Sequence, residues 1–243
     1  MNLIIEQGNT AVKVAVFECG NIVVSSVYKD FGKTELLPLL EQYPLERGIM
    51  SSVVDVEKEW IDFLNDRLPY FIFLDENVPL PVTVCYRKPK TLGKDRIAAA
   101  VGANYLRPGT DVMVIDAGTA ITYEVVEASG VYVGGNISPG MKMRFRALNQ
   151  FTRKLPFVEE QDNVPIWGGS TESAILAGVV NGIVYEMDGC INEMKEKYSD
   201  IFVFLTGGHS FYFERRLKNP IFADINLVLI GLNRILEYNV ENK

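Results

Sequence analysis

The chain has 243 residues, enough for one large domain or two small ones with a sizeable core. Hydrophobic residues make up 48% and charged residues 23%, the balance of an ordinary soluble globular protein. A formal net charge of −7 argues against a broad nucleic-acid or anionic-membrane surface, but does not exclude a local basic pocket for an anionic ligand. Cys19, Cys85 and Cys190 are odd in number and widely spaced, with no CxxC pair, which argues against a disulfide framework or a zinc site. His209 is the only histidine, so no mechanism needing two of them applies. The N-terminus runs directly into a strand carrying Glu6, and no apolar run reaches membrane-spanning length. Neither a signal peptide nor a membrane partner is expected, and the expected location is cytoplasmic.

Residues 3–18 read as a β-hairpin, and Asn21 to Tyr28 as a third strand after the Gly20 turn. Thr34 to Glu41 reads as a short helix and residues 48–54 as a buried strand. Val56 to Leu68 forms an amphipathic helix with Val56, Trp60, Phe63 and Leu64 on one face. Tyr70 to Leu74 and Val82 to Cys85 are further strands, making this first part an α/β lobe. A polar loop, Tyr86 to Arg96, precedes a helix of small residues from Ile97 to Tyr105. Asp95 stands just before that helix, either as its N-cap or as a catalytic carboxylate oriented by the Gly93 turn, with Arg96 beside it for an anionic substrate. Arg107-Pro-Gly109 breaks the chain, which places a lobe boundary there: 1–109 and 110–243.

The second lobe opens with Val112–Ile115 driving into Asp116, a Gly118-Thr119 turn, and a strand in which Ile121, Tyr123 and Val125 alternate with Thr122 and Glu124. A short strand over residues 131–133 leads to a glycine-rich loop, Gly134 to Gly140. Met141 to Leu148 then reads as a helix whose Lys142, Arg144 and Arg146 form a solvated cationic face. Gly168 to Glu172 opens a long helix reaching about Lys197, with Thr171 as its N-cap and an apolar face rich in small residues. Ile201 to Leu205 is a buried strand ending in Thr206-Gly-Gly-His-Ser210. A final amphipathic helix runs from Leu227 to Val240.

One motif occurs twice. Glu6-Gln7-Gly8-Asn9-Thr10-Ala11 recurs 110 residues later, from position 6 to position 116, as Asp116-Ala-Gly118-Thr119-Ala120-Ile121. Each copy is an apolar strand, an acid, any residue, glycine, a small polar turn and an apolar strand. Turn chemistry would explain one such hairpin. Two at domain-sized spacing imply duplicated lobes, each offering turn N–H groups and a carboxylate to phosphate oxygens and a hydrated cation.

Taken together, the Glu6–Thr10 start, the Gly93-Lys94-Asp95-Arg96 loop, Asp116 to Ala120, the Gly134–Gly140 loop and Thr206 to Gly208 resemble the type III pantothenate kinase family, in its motif order and over nearly the whole chain. The resemblance implies two duplicated ribonuclease H-like lobes of the acetate and sugar kinase, Hsp70 and actin superfamily, with a nucleotide cleft between them. It implies transfer of the ATP γ-phosphate to pantothenate, the first step of coenzyme A synthesis, by a homodimer that needs magnesium and a monovalent cation, potassium or ammonium. By matching position, Asp95 is the general base, and Tyr86, Gly93, Lys94, Asp95 and Arg96 line the pantothenate site. Thr171 comes from the neighbouring subunit. Glu6, Gln7, Gly8, Asn9, Thr10, Ala11, Val12, Lys13 and Thr119 hold ATP, Asp116 holds the monovalent cation, and Thr206 to Gly208 lie near the nucleoside. Glu6 departs from the family's usual Asp by one methylene, which shifts where a magnesium ion or its water shell would sit. A sugar or acetate kinase is a rival that the short lobes and the Gly-Lys-Asp-Arg loop disfavour, and no P-loop motif occurs. A non-catalytic binding or regulatory protein on the same scaffold is the rival from another class.

Overall fold

A computed structural model describes residues 1–242 of the chain, with the side chain of residue 89 outside the description. The chain forms two compact units that interleave along the sequence. The first comprises Met1–Gly109, Val126–Val133 and the chain from Asn226 on; the second comprises Thr110–Val125 and Gly134–Ile225.

The first unit is built on β1 (Asn2–Gln7), β2 (Val12–Glu18) and β3 (Asn21–Tyr28), an antiparallel meander. Two further strands, β4 (Arg47–Ser52) and β5 (Tyr70–Phe73), add in parallel on the β1 side, giving the order β3-β2-β1-β4-β5. Leu3, Ile4 and Ile5 are fully buried, so β1 is covered on both faces and reads as a continuous apolar run. β3, at the edge, alternates between half-buried and exposed positions. Helices α1 (Lys33–Gln42) and α2 (Lys58–Arg67) bury Leu36 and Leu64 against Leu3, Ile5, Val14, Val16 and Met50. A two-residue strand, β6 (Thr83–Val84), precedes α3 (Lys94–Leu106).

The last helix, α7 (Leu227–Glu241), also belongs to the first unit. It crosses α3 at backbone distance: a methyl on Gly102 would overlap the Leu227 carbonyl, and one on Gly231 would overlap the Ala98 carbonyl. Asn2 in β1 donates to Asn233 of α7 across 2.9 Å in the buried interior, and Asn233 donates to Glu237 at 3.1 Å. The sequence reading places all of 110–243 in one lobe. Here these two glycines let α7 pack against α3 and β1, so it groups with the N-terminal residues.

The second unit holds β7 (Val112–Ala117), β8 (Ala120–Val126) as far as Val125, and β9 (Val131–Pro139) from Gly134 on. It continues with α4 (Met141–Gln150), α5 (Thr171–Lys197), β10 (Phe202–Thr206), α6 (Ser210–Glu214) and β11 (Phe222–Ala223). Its strands run β11-β10-β7-β8-β9, with β6 paired to the first residues of β9. Strand for strand this repeats β5-β4-β1-β2-β3, so the internal repeat of the sequence is also a repeat of topology.

Four local expectations change. Residues 134–139 are the end of β9 rather than a loop, because glycine serves there for close approach: a methyl on Gly135 would overlap the Tyr123 carbonyl. α3 begins at Lys94, so Asp95 lies in its first turn and Gly93 is the N-cap. Ser170, not Thr171, caps α5, accepting from the Ser173 N–H at 3.2 Å. Arg144 is not part of a solvated face: its side chain is 21% exposed and paired with Glu186. In addition, α5 is long and apolar enough to cross a membrane by length and composition, with 56% of that stretch buried inside the protein.

Candidate active site

In the first unit, β1 delivers Glu6 to the start of a tight turn closed by the Gly8 N–H on the Ala11 carbonyl at 3.0 Å. Glu6 and Lys13 are direct partners across β1 and β2, with the ammonium 3.6 Å from the carboxylate. The Glu6 side chain is only 12% exposed. Burial raises its carboxyl above the ordinary range; Lys13 opposes the shift and the nearby Asp95 charge adds to it. Asn9 and Thr10 at the tip are exposed, while Gln7, Gly8 and Ala11 are half-buried and Val12 is buried. The segment therefore presents backbone and small polar side chains outward, with its acid and lysine tucked beneath.

Asp95 is half-buried in the first turn of α3, and its Oδ1 accepts the Arg96 N–H at 2.8 Å. Arg96 is 6% exposed. Its Nη2 donates to the Tyr132 hydroxyl at 3.3 Å, and the Tyr132 ring lies 6.4 Å from that of Tyr86. Tyr86, Arg96 and Tyr132 thus line one corner of the unit, with Lys94 and Asp95 beside them. Tyr132, fully buried beneath Arg96 and Tyr86, is a residue that the sequence reading passes over. Its signal is faint: one aromatic in the short strand 131–133, which pairs with Val84 two residues before Tyr86.

The second unit has a related but tighter turn, closed one residue sooner than the first. The Gly118 N–H closes on the Ala120 carbonyl at 3.1 Å. A methyl on Gly118 would sit 3.2 Å from Asp116 Oδ1 and 3.5 Å from the Ala120 carbonyl; one on Gly8 would sit 3.4 Å from Glu6 Oε1 and 3.3 Å from the Ala11 carbonyl. In both turns, then, glycine brings the backbone against the acid two residues earlier and against the carbonyl that closes the loop. Thr119 is exposed at the tip. Asp116 pairs in register with Thr206 of β10, and Gly207, at φ +92°, lets the chain pass where a methyl would overlap Asp116 Oδ1. Thr206 is fully buried and its hydroxyl has no hydrogen-bond partner among the described residues. His209 lies 3.9 Å from Glu160. Thr171, the first residue of α5, is exposed.

Residues 2–193 match the family model for type III pantothenate kinase. A type III pantothenate kinase of Phocaeicola vulgatus is 51% identical over 242 residues, covering 98% of this chain and 99% of that one. Among solved structures, a conserved Baf family protein from Campylobacter jejuni, named as a transcriptional activator, superposes with a TM-score of 0.65 at 21% identity, covering 98% of this chain and 99% of its own. The activator of 2-hydroxyisocaproyl-CoA dehydratase from Clostridium difficile, with bound ADPNP, superposes with a TM-score of 0.52 at 11% identity, covering 99% and 96%. At these identities the two structures speak to the fold: duplicated α/β lobes of the actin-like ATPase type.

Proposed function

Since the chain belongs to the type III pantothenate kinase family and phosphorylates pantothenate from ATP in the first step of coenzyme A synthesis, we propose that Asp95 is its general base and that the two matched turns hold the ATP phosphates. The observation that carries this reading is the placement of Asp95: half-buried in the first turn of α3, beside the buried Arg96, in the same unit as Glu6 and its turn. A primary alcohol is a weak nucleophile at neutral pH. A carboxylate within hydrogen-bond reach takes its proton as the new P–O bond forms, and the remaining work is positioning and charge neutralisation.

Pantothenate would lie along Tyr86, Gly93, Lys94 and Arg96, its carboxylate answered by the guanidinium and ammonium groups. Residues 6–13 and Thr119 would receive the phosphates, and Thr206 to Gly208 would lie near the nucleoside. For the monovalent cation the residues fit: the Asp116 carboxylate and the orphaned Thr206 hydroxyl are hard oxygen donors at adjoining strand positions, suited to potassium or ammonium. That cation would neutralise phosphate charge. Glu6, buried and paired with Lys13, fits contact with magnesium through a water rather than direct ligation. Magnesium would arrive with ATP and offset the charge of its phosphate oxygens.

The active form in this reading is a cytoplasmic homodimer in which Thr171 of one protomer enters the site of the other. Gly178 and Gly182 on α5, the exposed Tyr185, and Ile166 and Trp167 just ahead of the helix support such a contact face. The lobe boundary at Gly109 is proposed as the seam of the ancestral duplication.

The test is ADP release with pantothenate, ATP and magnesium, run in potassium and again in sodium alone. Turnover should require pantothenate and potassium, and Asp95→Asn should lower kcat by at least about a hundredfold with the protein still folded. Retention of full turnover by Asp95→Asn would remove the base assignment. Absence of pantothenate-dependent turnover in either salt would favour a binding protein on this scaffold.

A further inference from the structure

Glu186 of α5 gathers side chains from three other elements. Its Oε1 accepts the Tyr123 hydroxyl of β8 at 2.6 Å. Its Oε2 accepts Ser138 of β9 at 3.1 Å and pairs with Arg144 Nη2 of α4 at 2.5 Å. Arg144 closes the ring: Nη2 also donates to the Ser138 hydroxyl at 2.9 Å, and Nε to the Pro139 carbonyl at 2.8 Å. Burial alone would raise the Glu186 carboxyl. The hydrogen bonds from Tyr123, Arg144 and Ser138, with the Arg144 charge, outweigh it and hold the group below the ordinary carboxylate range. A part-buried, charge-assisted network of this kind fixes its members more firmly than isolated surface pairs do.

The network ends one residue before a glycine that packs on the Gly118-Thr119 turn. Gly140, next to the Pro139 carbonyl that Arg144 holds, is buried against that turn: a methyl there would overlap the Thr119 carbonyl and crowd that of Gly118. Earlier in the chain, within β9, Gly135 is packed equally closely on the Tyr123 carbonyl. The chain is thus pressed onto β8 at Gly135 and onto the turn ahead of β8 at Gly140, and Ser138, which Glu186 holds together with Tyr123, lies between those two glycines. Any slip of β9 would move Gly140, and with it the backbone that supports Gly118 and Thr119.

We propose that Glu186 is a positioning residue for ATP: through Tyr123, Ser138 and Arg144 it locks β9 against β8 and so sets the Gly118-Thr119 turn. The role of that turn in holding phosphate rests on the function proposed above; the clamp itself rests on the geometry alone. The two are separated by measuring both the turn and the kinetics, in Glu186→Ala, Glu186→Gln, Thr119→Ala and Asp188→Asn. Asp188 is the internal control. It lies two residues further along α5, is buried, and accepts from the backbone N–H groups of Lys218 and Asn219, so it stabilises the same unit without touching the turn.

Glu186→Ala should speed hydrogen exchange at residues 118–120 and raise the KM for ATP by at least about tenfold, the scale of effect expected when binding groups are misplaced. The KM for pantothenate should stay within about twofold. Glu186→Gln, which keeps an acceptor for Tyr123 and loses the Arg144 pairing, should fall between, and Asp188→Asn should lower Tm without either effect. Unchanged exchange at 118–120 in Glu186→Ala, or equal effects from Asp188→Asn, overturns the clamp. Faster exchange with an unchanged ATP KM, in Glu186→Ala and Thr119→Ala alike, leaves the clamp standing and overturns the phosphate role of the turn.

Discussion

Glu6 occupies a position where burial works against its charge. Its folded carboxyl titrates above the ordinary value of 4.5 because burial outweighs the pairing with Lys13, and the Asp95 charge pushes the same way. The sign of the linkage follows. A carboxyl raised in the folded state contributes stability that is fully present below about its unfolded value and is lost as pH rises through the folded one. Relative to Glu6→Gln, which has nearly the same shape and no charge, the native protein should therefore lose Tm as pH is raised from the acid side towards neutrality. Thermal melts of the two proteins across that window check it; a native protein that gains on Glu6→Gln with rising pH contradicts it. That local cost leaves one negative and one positive group beneath the turn that the proposed function assigns to phosphate.

At the scale of elements, the crossing of α3 and α7 is set by Gly102 and Gly231 meeting backbone to backbone. Gly231→Val would drive its side chain into the Ala98 carbonyl, and destabilisation of about 3 kcal/mol is expected in urea unfolding, as for other overpacked interiors. Turnover should fall with it, because α3 carries Asp95 and Arg96. The same scale shows what could be read from sequence and what could not. The two acid-glycine turns were readable as turns because acid, glycine and small polar residues act on their own neighbours, within six residues. The end of β9 was not: Gly134, Gly135 and Pro139 carry the composition of a loop, and the reason they form a strand is a carbonyl on β8. Arg144 looked like one cation among three on a helix face, since its partner Glu186 lies 42 positions away. Tyr132 and Asn233 were hidden in the same way, their roles being fixed by Arg96 and Asn2 on distant stretches.

For the whole molecule, the proposed dimer makes a prediction that separates folding from assembly. Apart from the backbone of α5 itself, nothing lies within 4 Å of where a Cβ would stand on Gly178 among the described residues. Gly178→Arg should therefore leave the single chain at least as stable, gaining about 0.8 kcal/mol of helix propensity. The same side chain would keep a second copy from approaching that face. Sedimentation should find a folded monomer, and activity should drop because Thr171 no longer reaches a partner. A dimeric Gly178→Arg protein would move the interface elsewhere.

The placement of α7 also has a consequence for how the protein is made. Residues 110–125 and 134–225 form a complete unit, and all of them leave the ribosome before residues 227–241 do. The unit begun first is thus finished last: β1 and α3 must wait for α7, with Asn2 lacking Asn233 and the apolar side chains of the crossing open to solvent until translation reaches the end of that helix. Nascent chains stalled ahead of residue 226 should carry a folded second unit beside an unfinished first one, the intermediate in which chaperones would find their binding surface.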